Sequence, residues 1–512
     1  MVPNSSSVCF DFKTHATDFV PDARAADTLR GLIHQQDEQL KGLDDEIAQL
    51  KVRIHSLEEQ KAELAKFRDL YQAFLAPIRK LPPEILGKVF IQCLLVSQNP
   101  GDNHVTPPCQ YSYDARHHLV QVCQRWRRTA IGTPVLWTIV QLDLTPWGPY
   151  DRVQICLENS GCLPLEVQLD YREVGPPSEI PLLLDNFHRV REIKGYCFRL
   201  VEGILGRELI LQTPLLRVVH LACFQTWSEE ERYRLKDIVQ APLIESLELT
   251  ECPGLFSVFC RNPGKLQNLK VEGKEDFDLY TPALLDILPF SSSLQVLDIH
   301  LPREMTAIRE DVGLITLPHL RSLSIKGQLN NICRLLAVIV VPSLDRLTLD
   351  SHDHITWIPI QSFLQGDPPP LRYLTLKNIT LGHGFVDFVS RLSHLEYLRL
   401  DQCRGITAED LGAFILDSHI LHDNMVCPRL ATLSFNETQL PGEVFVQVVQ
   451  SRAPLSAIPS GNRWLRSVEV SSFWALGLED HYGALEDIRQ ACGSCLTLHL
   501  HPPSIAWYDD DE

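Results

Sequence analysis

Few residues in this chain have the types and spacing for bond chemistry or metal capture. Cys492-Gly-Ser-Cys495 has Cys-x-x-Cys spacing, but no second pair follows at the distance that would complete four tetrahedral ligands. His117-His118 and His352-Asp-His354 place imidazoles close together with neither a partner one helical turn away nor an adjacent third ligand, so both read as surface histidines. Neither a Walker-type phosphate loop nor a Gly-x-Ser-x-Gly elbow occurs. No catalytic residue, metal ligand or cofactor is assigned. The chain is expected to be no enzyme and to act by binding.

Composition narrows what it binds. The 512 residues carry 47 Lys plus Arg against 65 Asp plus Glu, a formal charge of −18, and the chain ends on acidic residues from Asp509 to Glu512. Such a field repels phosphate backbones and anionic lipid, so neither nucleic acid nor a membrane is an expected partner. The longest purely apolar run, from Leu335 to Val341, stops at Pro342 and falls short of the ~18 residues a membrane span needs. The N-terminus has no basic segment followed by an apolar stretch. Fifteen cysteines, an odd number, are scattered from Cys9 to Cys495. Several of them, such as Cys93, Cys156, Cys223 and Cys333, sit in apolar stretches and read as buried thiols in a reducing compartment. A cytoplasmic and/or nuclear location is expected.

The elements that must hold a binding surface fall into blocks. Residues 1–23 read as a flexible lead. Over 24–76 a helix is expected, because Ile33, Leu40, Leu43, Ile47, Leu50, Ile54, Leu57 and Leu64 alternate at spacings of 3 and 4, with Gln36 and Lys61 filling two positions. Charged residues stand between them, as a coiled coil requires outside its seam. The seam either pairs with a second copy, giving a homodimer, or folds back on its own domain. Pro77 ends the helix.

Two short amphipathic segments follow. Leu81-Pro-Pro-Glu-Ile-Leu-Gly-Lys-Val-Phe90 places Pro83 in a first helical turn, and Ile85, Leu86, Val89, Phe90 and Cys93 on one wide face. After a polar stretch from Ser97 to Arg116, Leu119, Val122, Cys123, Trp126 and Ala130 repeat that spacing, and Thr133-Pro-Val-Leu-Trp137 closes the unit. A module of about 60 residues is small enough to lean on a partner. Leu-Pro-Pro-Glu-Ile-Leu with Val-Phe, then Val-Cys-x-x-Trp-Arg-x-x-Ala and Thr-Pro-x-Leu-Trp, resembles the F-box motif as written in the large fungal F-box families. The 20-residue stretch between the halves is longer than in the compact form of that motif. The resemblance implies an F-box domain over 79–141 that binds a small Skp-type adaptor, and through it a cullin, in an SCF (Skp–cullin–F-box) ubiquitin ligase. It implies adaptor contacts at Leu81, Pro82, Ile85, Leu86, Val89 and Phe90, and at Leu119, Val122, Cys123 and Trp126. The alternative for each is internal packing of a helical bundle.

From about 160 onward a pattern Pro-x-Leu-x-x-Leu-x-Leu recurs ten times. Its first apolar positions are Leu216, Ile244, Leu266, Leu294, Leu320, Leu344, Leu371, Leu395, Leu430 and Leu465. Seven of the nine intervals fall between 20 and 29 residues, so the segment 160–475 resembles degenerate leucine-rich repeats. Each Leu-x-Leu predicts a short strand, and stretches such as 284–288, 332–337 and 385–392 predict helices on the convex side. Leu163 to Leu169 alternates too and reads as one more strand at the start of the array. A regular Asn or Cys at the turn position is missing. Residues 476–512 are expected to form a C-terminal cap and acidic tail.

The fold class is thus mixed α/β: an N-terminal coiled-coil helix, a small helical F-box and an α/β leucine-rich-repeat solenoid. On the concave face Arg346, Tyr373, Tyr397 and Arg399 have the aromatic and Arg composition of protein-binding hot spots and are the candidate substrate contacts. The bland reading of that face is a solvated sheet. The function implied is the substrate-recognition subunit of an SCF-type ubiquitin ligase, serving ubiquitin-dependent degradation. The alternative is a protein-interaction scaffold that promotes no ubiquitination.

Overall fold

The structure, a computed structural model, describes residues 22–95, 111–142, 151–169, 180–206, 210–223, 228–260, 262–273, 281–303, 313–351, 368–382, 384–416, 426–438, 440–453, 465–471 and 481–501. The chain divides into two units, 1–86 and 87–512. The lead at 1–21, the histidines His352 and His354 and the acidic tail lie outside the described residues.

Helix α1 (Ala23–Leu75) is one uninterrupted run of 53 residues, about 80 Å long at 1.5 Å per residue. From Ile33 to Leu75 its leucines and isoleucines remain open to solvent. A single 3-10 turn, Pro77–Lys80, separates it from α2 (Pro83–Leu95), where proline occupies the first helical position as expected.

In the second unit, α3 (Tyr111–Val122) and α4 (Gln124–Ile131) are followed by a 3-10 turn at Pro134–Trp137. Gly87 lies where α2 passes that turn: a Cβ there would meet the Thr133 Oγ1 at 2.8 Å, so any side chain would force Thr133 to shift. The Trp137 indole donates to the Ala130 carbonyl at 2.8 Å. Arg116, buried on α3, donates to the carbonyls of Leu136 at 3.3 Å and Ile139 at 2.7 Å.

Ile139 opens the sheet, which is therefore continuous with the helical segment. Among the described residues fourteen strands lie side by side in chain order, each parallel to the next. They are β1 (Ile139–Leu142), β2 (Leu165–Leu169), β3 (Val190–Tyr196), β4 (Val218–Ala222), β5 (Ser246–Thr250), β6 (Asn268–Glu272) and β7 (Val296–His300). The second seven are β8 (Ser322–Gly327), β9 (Arg346–Ser351), β10 (Tyr373–Lys377), β11 (Tyr397–Asp401), β12 (Thr432–Asn436), β13 (Ser467–Ser471) and β14 (Thr497–His501). The sheet outruns the expected 160–475 at both ends. β1 falls inside the stretch assigned to the F-box, because Val140 and Leu142 alternate inward with no exposure. β14 falls inside the expected cap.

The repeat pattern fixes the register. All ten lead residues, from Leu216 to Leu465, are at most 3% exposed. The residue after each lead position donates its N–H to its counterpart one repeat back, as Asp345 does to Arg321 at 2.9 Å, Arg372 to Asp345 at 2.8 Å and Glu396 to Arg372 at 2.9 Å. Strand residues then alternate, one set packed inward against helices such as Leu329–Val338, Phe385–Ser390 and Gly442–Arg452, the other facing out. This is a mixed helix and strand, leucine-rich-repeat solenoid-like architecture.

A turn device absent from the sequence reading also emerges. Glu251, Asn378, Gln402 and Glu437 take positive φ between 48° and 59°, ending their strands in a left-handed step. Behind three of them a side chain reaches back to the preceding repeat. Cys252 Sγ donates to the Leu221 carbonyl at 3.4 Å, Cys403 Sγ to that of Leu376 at 3.4 Å, and Thr438 Oγ1 to that of Leu400 at 2.9 Å. Buried carbonyls must be paired, so this polar position is retained in a subset of repeats.

Candidate functional site

Two surfaces carry the residues singled out above. On α2 the apolar residues separate into adjacent stripes. Leu86 and Phe90, one turn apart, are fully buried, whereas Ile85 and Val89, also one turn apart, are 43% and 37% exposed, and Cys93 continues their line. Pro82 is exposed and Leu81 half-buried. Further along, Leu119 is buried and Val122 is 58% exposed. Trp126 is half-buried, with its ring centroid 4.9 Å from that of Phe90. Cys123 is exposed, and its sulfur accepts the Trp126 N–H at 3.5 Å, capping α4.

Three of the ten residues expected to meet an adaptor are therefore core: Leu86, Phe90 and Leu119. Helical spacing placed them correctly on an apolar face, but that face is wide enough to be divided between interior and solvent. Cys93, expected to be buried, lies on the solvent side, whereas Cys156 and Cys223 are buried as expected. Pro82, Ile85, Val89, Val122 and Cys123 remain open to a partner. Burial pushes the Cys403 and Cys427 thiols up to about 12, which makes them packing groups instead of nucleophiles.

The second surface is the open face of the sheet. In register across β8 to β11 run two rows, Ser322–Arg346–Tyr373–Tyr397 and Ser324–Thr348–Thr375–Arg399. The guanidinium of Arg346 lies 4.3 Å from the Tyr373 ring centroid, and that ring is 6.0 Å from Tyr397 at 40°. Arg399 Nε donates to both Asp401 carboxylate oxygens at 2.9 Å, two residues along the strand from Tyr397. The Asp401 carboxylate beside it raises the Arg399 pKa above its ordinary value. The structure thus brings all four predicted contacts together on three neighbouring strands. Small hydroxyl side chains at Ser324, Thr348 and Thr375 form a low floor beside the raised rings.

Two polar residues on this face, Asp401 and Ser434, are covered. Asp401 is 6% exposed because Arg399 grips it and Lys377 approaches to 3.8 Å. Ser434 is closed off where its hydroxyl donates to Glu469 at 3.2 Å.

The earlier half of the face, which sequence reasoning did not select, is a charge lattice. Lys270 binds Glu248 at 2.7 Å, His220 approaches the same carboxylate at 3.8 Å, and Lys194 pairs with Glu192. Burial lowers the His220 pKa against the opposing pull of Glu248. Another set directly follows some of the lead residues: Arg217 pairs with Glu245, and Arg372 binds Glu396 at 2.9 Å with Asp345 at 4.0 Å. The sequence signal for both was the alternation of sign at equivalent positions of successive repeats.

No helix among the described residues is long and apolar enough to cross a membrane. No protein-family model matches the chain, and no curated protein matches it. Among solved structures the chain is similar to an internalin from Listeria monocytogenes, at 13% identity over 72% of this chain and 89% of that one, with a TM-score of 0.35.

Proposed function

We propose that this chain is a non-catalytic receptor that docks a Skp-type adaptor through its short helices and holds a protein substrate on the open face of its sheet, as the substrate-recognition subunit of an SCF-type ubiquitin ligase. The F-box resemblance of the residues from Leu81 to Trp137 supplies the adaptor class. The observation that carries the docking reading is the divided helix: Ile85 and Val89 face solvent while Leu86 and Phe90 beside them face inward. A helix with two apolar stripes, one already used, offers the other to a partner. The receptor itself would make and break no bonds. It would raise the effective concentration of a bound substrate near a ubiquitin-charged enzyme.

The test is co-purification of the adaptor with Ile85→Asp/Val89→Asp. Both side chains face solvent, so the fold is retained, and adaptor recovery is expected to fall at least about tenfold, as for loss of one hot spot. Unchanged recovery defeats the docking assignment. Recovery of adaptor without cullin defeats the ligase and leaves a scaffold.

A further inference from the structure

The seam of α1 continues past the point where its sequence pattern first breaks. Setting Ile33 at heptad position a places Ile33, Leu40, Ile47 and Ile54 at a, and Leu43, Leu50, Leu57 and Leu64 at d, with Tyr71 and Leu75 extending the line beyond Lys61 and Arg68. From Ile33 to Leu64 these apolar side chains are 48–69% exposed. A seam of about six heptads exceeds the three to four that sustain a coiled coil. Gly31 and Gly42 fall at f and c, on the outer side, with nothing within 4 Å of a Cβ.

The charges sort by position. His34–Glu38 at 3.9 Å and His55–Glu59 at 3.5 Å join b to f within the helix, on its outer face. Flanking the seam, Glu46 and Arg53 stand at g, and Lys51 and Glu58 at e. Among the described residues none of these four forms an ion pair within its own chain.

We propose that α1 is one strand of a parallel, in-register, two-stranded coiled coil whose second strand is α1 of another copy of this chain. Ile-rich a positions with Leu at d favour two parallel strands, and a lysine at a, here Lys61, fixes register at a cost in stability. In that arrangement each g residue faces the e residue five positions on in the partner. Glu46 then meets Lys51, Arg53 meets Glu58, and no like-charged g and e residues face each other. The antiparallel alignment that stacks every a on a d sets Asp37 against Glu58. The dimer would carry two sheet faces on one stalk, so a substrate with two binding segments would gain avidity.

Sedimentation equilibrium on the full chain is expected to give twice the 58.2 kDa chain mass. Leu50→Asp/Leu57→Asp is expected to give a monomer with an unchanged urea transition for the rest of the chain. Lys51→Glu turns two attractive contacts per dimer into repulsive ones and should weaken dimerisation on the order of tenfold. Glu46→Lys/Lys51→Glu should restore it. That restoration is specific to the parallel arrangement. In antiparallel helices the same double exchange would set the introduced lysine against Arg53 and the introduced glutamate against Asp44, two like-charge contacts. A monomeric parent chain, or a double variant weaker than the single, overturns the proposal.

Discussion

The two halves of the open sheet face share one backbone lattice and differ in what their side chains have already done. Across β3 to β6 the charges neutralise one another: Glu192 with Lys194 along β3, and Glu248 with Lys270 and His220 on the strands either side of it. A ligand settling there would have to desolvate and break those pairs, so the half that looks most polar has least to offer. Across β9 to β11, Tyr373 and Tyr397 present ring area, and Arg346 lies against a π-face with its side chain 60% exposed. There a partner adds contacts without dismantling any. Adjacent strands in exact register thus produce either a closed charge lattice or an open aromatic strip, depending on whether successive repeats alternate in sign.

The largest effect that tests this contrast is on binding. For a purified protein partner identified by crosslinking, Tyr373→Ala is expected to weaken affinity about 30-fold, the scale of a hot-spot aromatic. Lys194→Gln should change it less than about threefold. Titration calorimetry measures both, and a larger loss in the charge lattice would reverse the assignment of the two halves.

Stability should show the opposite ranking. Glu248→Ala leaves Lys270 and His220 without their shared partner at a part-buried position, and should cost about 1–2 kcal/mol in urea unfolding. Arg346→Ala removes an exposed side chain and should cost no more than about 0.5 kcal/mol. Equal losses would mean that the strip is as structural as the lattice.

How far these features were legible depended on how many repeats each one involves. The lead leucines could be read one repeat at a time, because Leu-x-x-Leu-x-Leu is a period-2 strand entered from a turn, and all ten are buried. The Tyr373 and Tyr397 pairing needed two repeats with matched offsets, and their register is as the spacing implied. The burial of Asp401 and Ser434 needed side chains from flanking strands, Lys377 and Glu469, which no single repeat displays. On α2 the difficulty was geometric. Ile85, Leu86, Val89 and Phe90 occupy a face wider than one contact, so periodicity located them without saying which two would be covered. The α1 seam was read to Leu64 and then lost, because Lys61 and Arg68 interrupt it at a positions before Tyr71 resumes.

A small effect of the opposite sign, a gain in stability, is expected at the boundary between the two halves. Asp298 on β7 faces Lys270 on one side and Ser324 on the other. Burial raises its pKa, the Glu272 and Glu248 carboxylates push the same way, and the hydrogen bond from Ser324 and the Lys270 charge only partly oppose them. A carboxyl whose pKa is higher folded than unfolded contributes stability that is fully present below its unfolded value, near 3.8, and is lost as pH rises through the folded value. At neutral pH the charged Asp298 is therefore a liability. Asp298→Asn, which keeps an oxygen for Ser324, should stabilise the chain at pH 7 by a few tenths to about 1 kcal/mol. The gain should shrink as pH falls toward the unfolded value, where both residues are neutral. Urea unfolding of the two chains at pH 7 and pH 4.5 checks this. A loss at pH 7 would mean that the Lys270 attraction outweighs burial, and that the charge lattice extends one strand further than β6.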